Sequence, residues 1–165
     1  MLKDINKNFI YNFFVILLIF FLDRFSKIYV IYQNEKTLSS ELFSSKFLNI
    51  TLIWNEGIAF GLLSFDKSNF YNFLTILITI IIIVIFFMIL SSKGLKRYSL
   101  LMVFGGAIGN LYDRIFFKAV PDFIDFHIGN FHWFIFNVSD IFISLGVIFL
   151  IALEIIGNRK IKINE

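Results

Sequence analysis

The stretch Phe70–Leu90 reads FYNFLTILITIIIIVIFFMIL and contains no charged residue. A helix needs about 20 mainly apolar residues to cross a bilayer. A helix that is apolar all round belongs in lipid or deep inside a large protein. At 165 residues this chain is long enough for one compact unit and too short for two. The stretch therefore reads as a membrane span, and the rest of the chain is read outward from it.

Three more spans are expected on this basis, over residues 9–32, 98–117 and 136–156. The composition agrees, with 58% hydrophobic and 16% charged residues and a mean hydropathy of +0.82. Soluble domains carry about a quarter charged residues. No run is basic enough for nucleic acid. The absence of cysteine excludes disulfides, a thiolate nucleophile and Cys-based metal sites. His127 and His132 lack the helical HExxH frame of a zinc peptidase, and no metal site is expected.

Orientation follows from the Lys and Arg residues in the flanks. Lys3, Lys7, Lys93, Lys96, Arg97, Arg159, Lys160 and Lys162 lie on one side. The alternate segments, 33–69 and 118–135, hold Lys36, Lys46, Lys67 and Lys118 in a longer total length. Both termini are expected on the cytoplasmic side and the two longer segments outside. The first, third and fourth spans then bring Asp23 and Lys27, Asn110, Asp113 and Arg114, and Asp140 to one depth near the outer face.

The outer segments carry their own pattern. Leu48-Asn49-Ile50-Thr51-Leu52 alternates apolar and polar residues, as a half-buried strand does. The run 122–136 has two apolar stretches around Gly129-Asn130, which predicts a hairpin. A small sheet on the outer membrane face is the result, with Trp54 and Trp133 at the interface.

Charged residues at membrane depth usually pair or do chemistry. Asp23 and Lys27, at i and i+4, have the spacing of a helical ion pair. Asp113 and Arg114 have the position of a helix-end anchor. Asp122 and Asp140 flank the predicted hairpin, which can return one carboxylate to the other. Two carboxylates in contact cannot both ionise easily, so one keeps a proton near neutrality. Such a pair can activate water against an amide without metal or cofactor. Two other readings use the same residues: a Ser/Lys peptidase built on Ser26 or Ser139 with Lys27, and a proton- or ion-conducting protein. Gly105, Gly106, Ala107 and Gly109 offer a small-residue face for close helix packing.

Five stretches in register resemble the lipoprotein signal peptidases (signal peptidase II, the peptidase A8 family). They are Asp23-Arg24-Phe25-Ser26-Lys27, Asn55-Glu56-Gly57-Ile58-Ala59-Phe60-Gly61, Gly105 to Arg114, Val120-Pro121-Asp122-Phe123 and Phe136-Asn137-Val138-Ser139-Asp140. The resemblance implies an all-α membrane protein with four transmembrane helices, a small extracytoplasmic β-cradle and a short amphipathic segment on the membrane. It implies a single peptidase domain over 1–165, monomeric and cofactor-free, in the bacterial inner membrane with its site near the outer face. The implied substrates are prolipoproteins carrying a diacylglyceryl-cysteine, cut immediately before that residue. Asp122 and Asp140 match the catalytic pair. Asn55, Gly57, Asn110 and Asn137 match residues lining the site. Asp23, Lys27 and Asp113 match supports, the last acting with Arg114. Two departures are Pro121, where the family often has Val, and Ser139, where it usually has Ala. Pro121 is expected to stiffen the approach to Asp122, and Ser139 to add a hydrogen bond.

Overall fold

The computed structural model describes residues 2–37, 41–57 and 67–163. Four helices, α1 (Leu2–Thr37), α2 (Lys67–Ser91), α3 (Gly94–Phe117) and α4 (Val138–Ile163), accompany four strands. The strands are β1 (Glu41–Ser44), β2 (Leu48–Asn55), β3 (Val120–Ile128) and β4 (Phe131–Phe136).

By length and composition, Tyr71–Ser91, Gly94–Phe117 and Val138–Gly157 can each cross a membrane. α2 presents apolar residues on every side, with Phe73 61%, Ile80 53% and Phe87 62% exposed, a surface suited to lipid. Its Thr75 and Thr79 hydroxyls donate to the carbonyls of Tyr71 and Thr75, so neither is left unpaired. α1 is longer but interrupts its apolar run with Asp23, Arg24 and Lys27, and it is not among these three helices.

Several boundaries differ from expectation. The first helix extends beyond 9–32 at both ends, and α3 starts at Gly94 rather than residue 98. Phe136 ends β4, so the fourth helix begins at Val138. The reason is local, because Asn137 caps the helix and fixes its first turn. Among the described residues no element corresponds to the short amphipathic segment, and Ile58 to Gly61 of the second motif lie outside them.

The sheet is an antiparallel meander in the order β1-β2-β3-β4. Gly129 takes φ +59 at the two-residue turn between β3 and β4, a conformation that favours glycine. Pro121 pairs with Trp54 of β2, while β4 pairs with β3 only from Ile124 onward. The missing N–H of Pro121 therefore meets no second strand, which is where a sheet tolerates proline.

α3 is the central helix and packs on α1, α2 and α4. Its glycines do not form one face. A Cβ at Gly105 would lie 3.0 Å from the Ile19 side chain on α1, whereas one at Gly106 would lie 2.5 Å from the Ser139 carbonyl on α4. A Cβ at Gly109 would strike the Ser139 hydroxyl and lie 2.7 Å from Asp23 Oδ2. Small residues thus let α3 approach two helices at once.

Candidate active site

The site begins at the junction of β4 and α4. Asn137 and Asp140 form a reciprocal cap: the Asp140 N–H donates to Asn137 Oδ1 at 3.1 Å, and the Asn137 N–H donates to Asp140 Oδ2 at 3.0 Å. This is the capping-box arrangement, with Asp in place of the usual Glu or Gln. It also sets the Asp140 carboxylate against the positive end of α4.

The cap fixes what the rest of Asn137 can do. With Oδ1 occupied as acceptor, Nδ2 is turned outward and donates to Asp122 Oδ1 at 2.6 Å. The fully buried Asn137 therefore joins the two carboxyl groups. Asn55 reaches the other oxygen: its Oδ1 accepts from the Gly57 N–H at 2.7 Å, and its Nδ2 donates to Asp122 Oδ2 at 2.8 Å. The φ of +80 at Gly57 makes that turn.

Asn110 holds Asp140 from α3, donating Nδ2 to Oδ1 at 2.8 Å. Its own Oδ1 accepts from Lys27 Nζ at 2.9 Å. Lys27 Nζ also donates to Asp23 Oδ2 at 2.8 Å and Asp113 Oδ2 at 2.7 Å. Lys27, Asp23 and Asp113 are all completely buried. Asp23 Oδ1 accepts the Ser139 N–H at 3.0 Å, which ties α1 to the first turn of α4. Burial pushes the Asp122 carboxyl up to about 6, against the opposing donations from Asn55 and Asn137. Nearby Asp140 adds a smaller upward push and Lys27 a smaller pull down.

The structure thus gathers Asp23, Lys27, Asn55, Gly57, Asn110, Asp113, Asp122, Asn137 and Asp140 into one connected network. Arg114 departs from expectation. Its Nη1 donates to the Asn110 carbonyl at 3.3 Å, whereas Asp113 pairs with Lys27 and with Arg24, whose Nη1 lies 2.6 Å from Asp113 Oδ1. On a helix, Asp113 and its neighbour Arg114 point about 100° apart, so the cation facing Asp113 comes from α1. Arg24 is the residue that sequence reasoning overlooked. It also stacks over Tyr112 at 4.9 Å from the ring centroid. Its sign beside Asp23 was visible, but its partner on α3 was not. Ser139 also differs: its buried hydroxyl has no hydrogen-bond partner among the described residues. Ser26 donates to the Asp23 carbonyl at 2.7 Å and Lys27 to Asp23, Asn110 and Asp113, so among the described residues neither the Ser26 nor the Ser139 hydroxyl pairs with Lys27.

A cavity of about 510 Å³ opens beside the two carboxyl groups. Asn55, Asp122 and Asp140 contribute its polar lining. Trp133, Phe134, Ile135 and Phe136 of β4 form one wall, and Ile141, Ser144 and Leu145 of α4 continue it along the helix. Among the described residues, no group of His, Cys, Asp and Glu is arranged to hold a metal.

Apolar helices long enough to cross a membrane, a small antiparallel sheet and two carboxyl groups joined through Asn137 beside a largely apolar cavity are the features of a membrane enzyme. Residues 15–156 match the family described as Signal peptidase (SPase) II. The chain belongs to that family and is a bacterial membrane peptidase. The lipoprotein signal peptidase of Pelagibacter ubique (strain HTCC1062) is 52% identical over 159 residues, covering 96% of this chain and 95% of that protein. The lipoprotein signal peptidase of Anaplasma marginale (strain Florida) is 36% identical over 145 residues, covering 88% and 84%. A bacterial membrane enzyme solved by the in meso method at 2.3 Å superposes with a TM-score of 0.70 at 27% identity, covering 87% of each chain. A second, solved at 1.9 Å, gives 0.70 at 30% identity, covering 86% of this chain and 90% of that one.

Proposed function

We propose that this chain is an aspartic endopeptidase that removes signal peptides from diacylglyceryl-modified prolipoproteins, cutting immediately before the lipidated cysteine. The observation that carries the reading is the joining of Asp122 and Asp140 through Asn137 at the mouth of an apolar cavity. The pair shares one proton. The ionised member takes a proton from water as its oxygen attacks the scissile carbonyl, and the protonated member hydrogen-bonds the carbonyl oxygen. Collapse of the tetrahedral intermediate breaks the C–N bond, and the amine of the new N-terminus leaves with a proton from the pair. No metal or cofactor takes part.

Asn55, Asn110 and Asn137 orient the carboxyl groups. Asp23, Arg24, Lys27 and Asp113 hold α1 against α3, Arg114 steadies the outer end of α3, and Gly57 sets the turn that aims Asn55. In this reading residues 1–165 form one monomeric unit in the bacterial inner membrane. α1 is a fourth span whose charges are neutralised by α3, both termini are cytoplasmic, and the site lies near the outer face. Purified protein is expected to cleave a synthetic diacylglyceryl-prolipoprotein, with Asp122→Asn and Asp140→Asn each losing at least a thousandfold in kcat. Full activity in either variant would overturn the pair assignment.

A further inference from the structure

β4 is an edge strand of unusual composition. It reads Phe131-His132-Trp133-Phe134-Ile135-Phe136, without proline, lysine or any acidic residue. Natural edges are usually guarded by charge, proline, shortness or a covering element, because a bare edge pairs with whatever extended chain it meets. The opposite edge, β1, is only Glu41–Ser44 and begins with an acidic residue. On β4, Phe131, Trp133 and Phe134 are 63%, 58% and 71% exposed. Among the described residues, the strand's backbone pairs only with β3.

The cavity identifies what that edge faces. Side chains alternate along a strand, so a cavity lying on one face of a sheet touches every second residue. Here Trp133, Phe134, Ile135 and Phe136 all line it. Four consecutive residues can do so when the cavity runs along the strand's edge. The strand leads directly into Asn137, which holds both carboxyl groups. At its other end the cavity follows Ile141, Ser144 and Leu145 along α4, a span of the membrane.

We propose that the substrate segment following the scissile bond adds to the free edge of β4 as a further, antiparallel strand. This rests on the assignment of Asp122 and Asp140 as the cutting pair. Polarity follows from chemistry: the apolar signal peptide belongs in the bilayer, alongside α4, so the secreted portion runs outward along β4. Leaving the carboxyl groups, it passes Phe136 first and Phe131 last, opposite to β4's own direction. Recognition by main-chain hydrogen bonds lets one enzyme accept many mature sequences, because every residue other than proline offers the same backbone groups.

The test is an ester scan. Single backbone amides at the second to sixth residues of the mature side are replaced by esters in a synthetic diacylglyceryl-cysteine peptide. Binding is measured to the Asp140→Asn protein in detergent, so no turnover is required. In a paired strand, alternate N–H groups face the partner. About fivefold weaker binding is expected at every second position and less than about twofold at those between, one lost hydrogen bond being worth roughly 1 kcal/mol. Uniform weakening, or none, overturns strand addition. So does a dimer through β4 that the peptide cannot dissociate, which would give the edge to a second copy. Loss of the alternation with both Asp variants inactive removes this inference alone. Alternation with an active Asp variant removes the pair assignment instead.

Discussion

Lys27→Met tests the buried network where it is most concentrated. In the native protein one ammonium serves Asp23 at 2.8 Å, Asp113 at 2.7 Å and Asn110 at 2.9 Å, with no exposure at Lys27 or at either carboxylate. Removing it leaves the two acids unequal. Asp113 keeps Arg24 at 2.6 Å, while Asp23 keeps Arg24 only at 3.8 Å together with the Ser139 N–H. Breaking a buried pair costs about 3–5 kcal/mol because a charge is left uncompensated. The surviving Arg24 contact puts this case near the lower figure, roughly 3 kcal/mol. For a chain of this size each kcal/mol moves Tm by about 2–4 °C, so a fall of about 6–12 °C is expected. The assay is thermal unfolding in detergent micelles followed by circular dichroism. Lys27→Met/Asp23→Asn supplies the control, since it removes the stranded charge as well. That double variant is expected to be more stable than Lys27→Met alone by about 1–2 kcal/mol, a coupling typical of contacting groups. A Tm for Lys27→Met within about 2 °C of the parent, or a double variant no more stable than the single, would refute the description of the network.

Three further outcomes follow from the site. The Asp122 carboxyl sits up at about 6, against an ordinary value of 3.8, so between those values the native state binds more protons than the unfolded one. Its stability therefore falls as pH rises from about 4 to 6 and stays lower above that window. Asp122→Asn removes this loss and should raise Tm relative to the parent at pH 7, by the equivalent of about 1–3 kcal/mol. The advantage should vanish near pH 4, and equal Tm differences at both pH values would contradict it. Asn137→Ala loses the cap and the bridge between the carboxyl groups together. About 1–2 kcal/mol of stability should disappear, along with at least a hundredfold in kcat, as read by unfolding and peptide cleavage. Gly57→Ala places a side chain at φ +80, with its Cβ 2.7 Å from Leu74 Cδ2. At about 1–2 kcal/mol of strain, it should lower kcat through Asn55, while Asn55→Ala should make the Gly57 change nearly silent.

Much of this arrangement was legible in the residues. A charge-free run at 70–90 identifies lipid as the solvent, and alternation at 48–52 with Gly129-Asn130 locates three of the four strands. β1 escaped notice because ELFS is too short to show a period. The junction at Asn137 was misjudged by two residues because apolar character continues unbroken from strand to helix. The spacing of Asn137 and Asp140 is itself a cap signal that places the boundary correctly. Pairings across helices were less accessible. The i, i+4 pair of Asp23 and Lys27 was legible and forms at 2.8 Å. Asp113 beside Arg114 looks like a local pair, yet its contacts, to Arg24 and Lys27, cross from α3 to α1, decided by helix rotation and by glycines that permit close approach.

The contact between Lys27 and Asp113 spans 86 positions of sequence, which has a consequence for biogenesis. Taken as a span, α1 is delivered to the membrane long before α3 has been synthesised. During that interval Asp23 and Lys27, one turn apart, can neutralise each other, but Arg24 has no acid on α3 to meet. The first helix is therefore poorly suited to lipid on its own and is completed only when the third arrives. Insertion becomes a conditional event: a nascent chain halted before Asp113 should expose an unsettled helix to quality-control proteases, and only the full set of helices makes the first one a permanent resident of the bilayer.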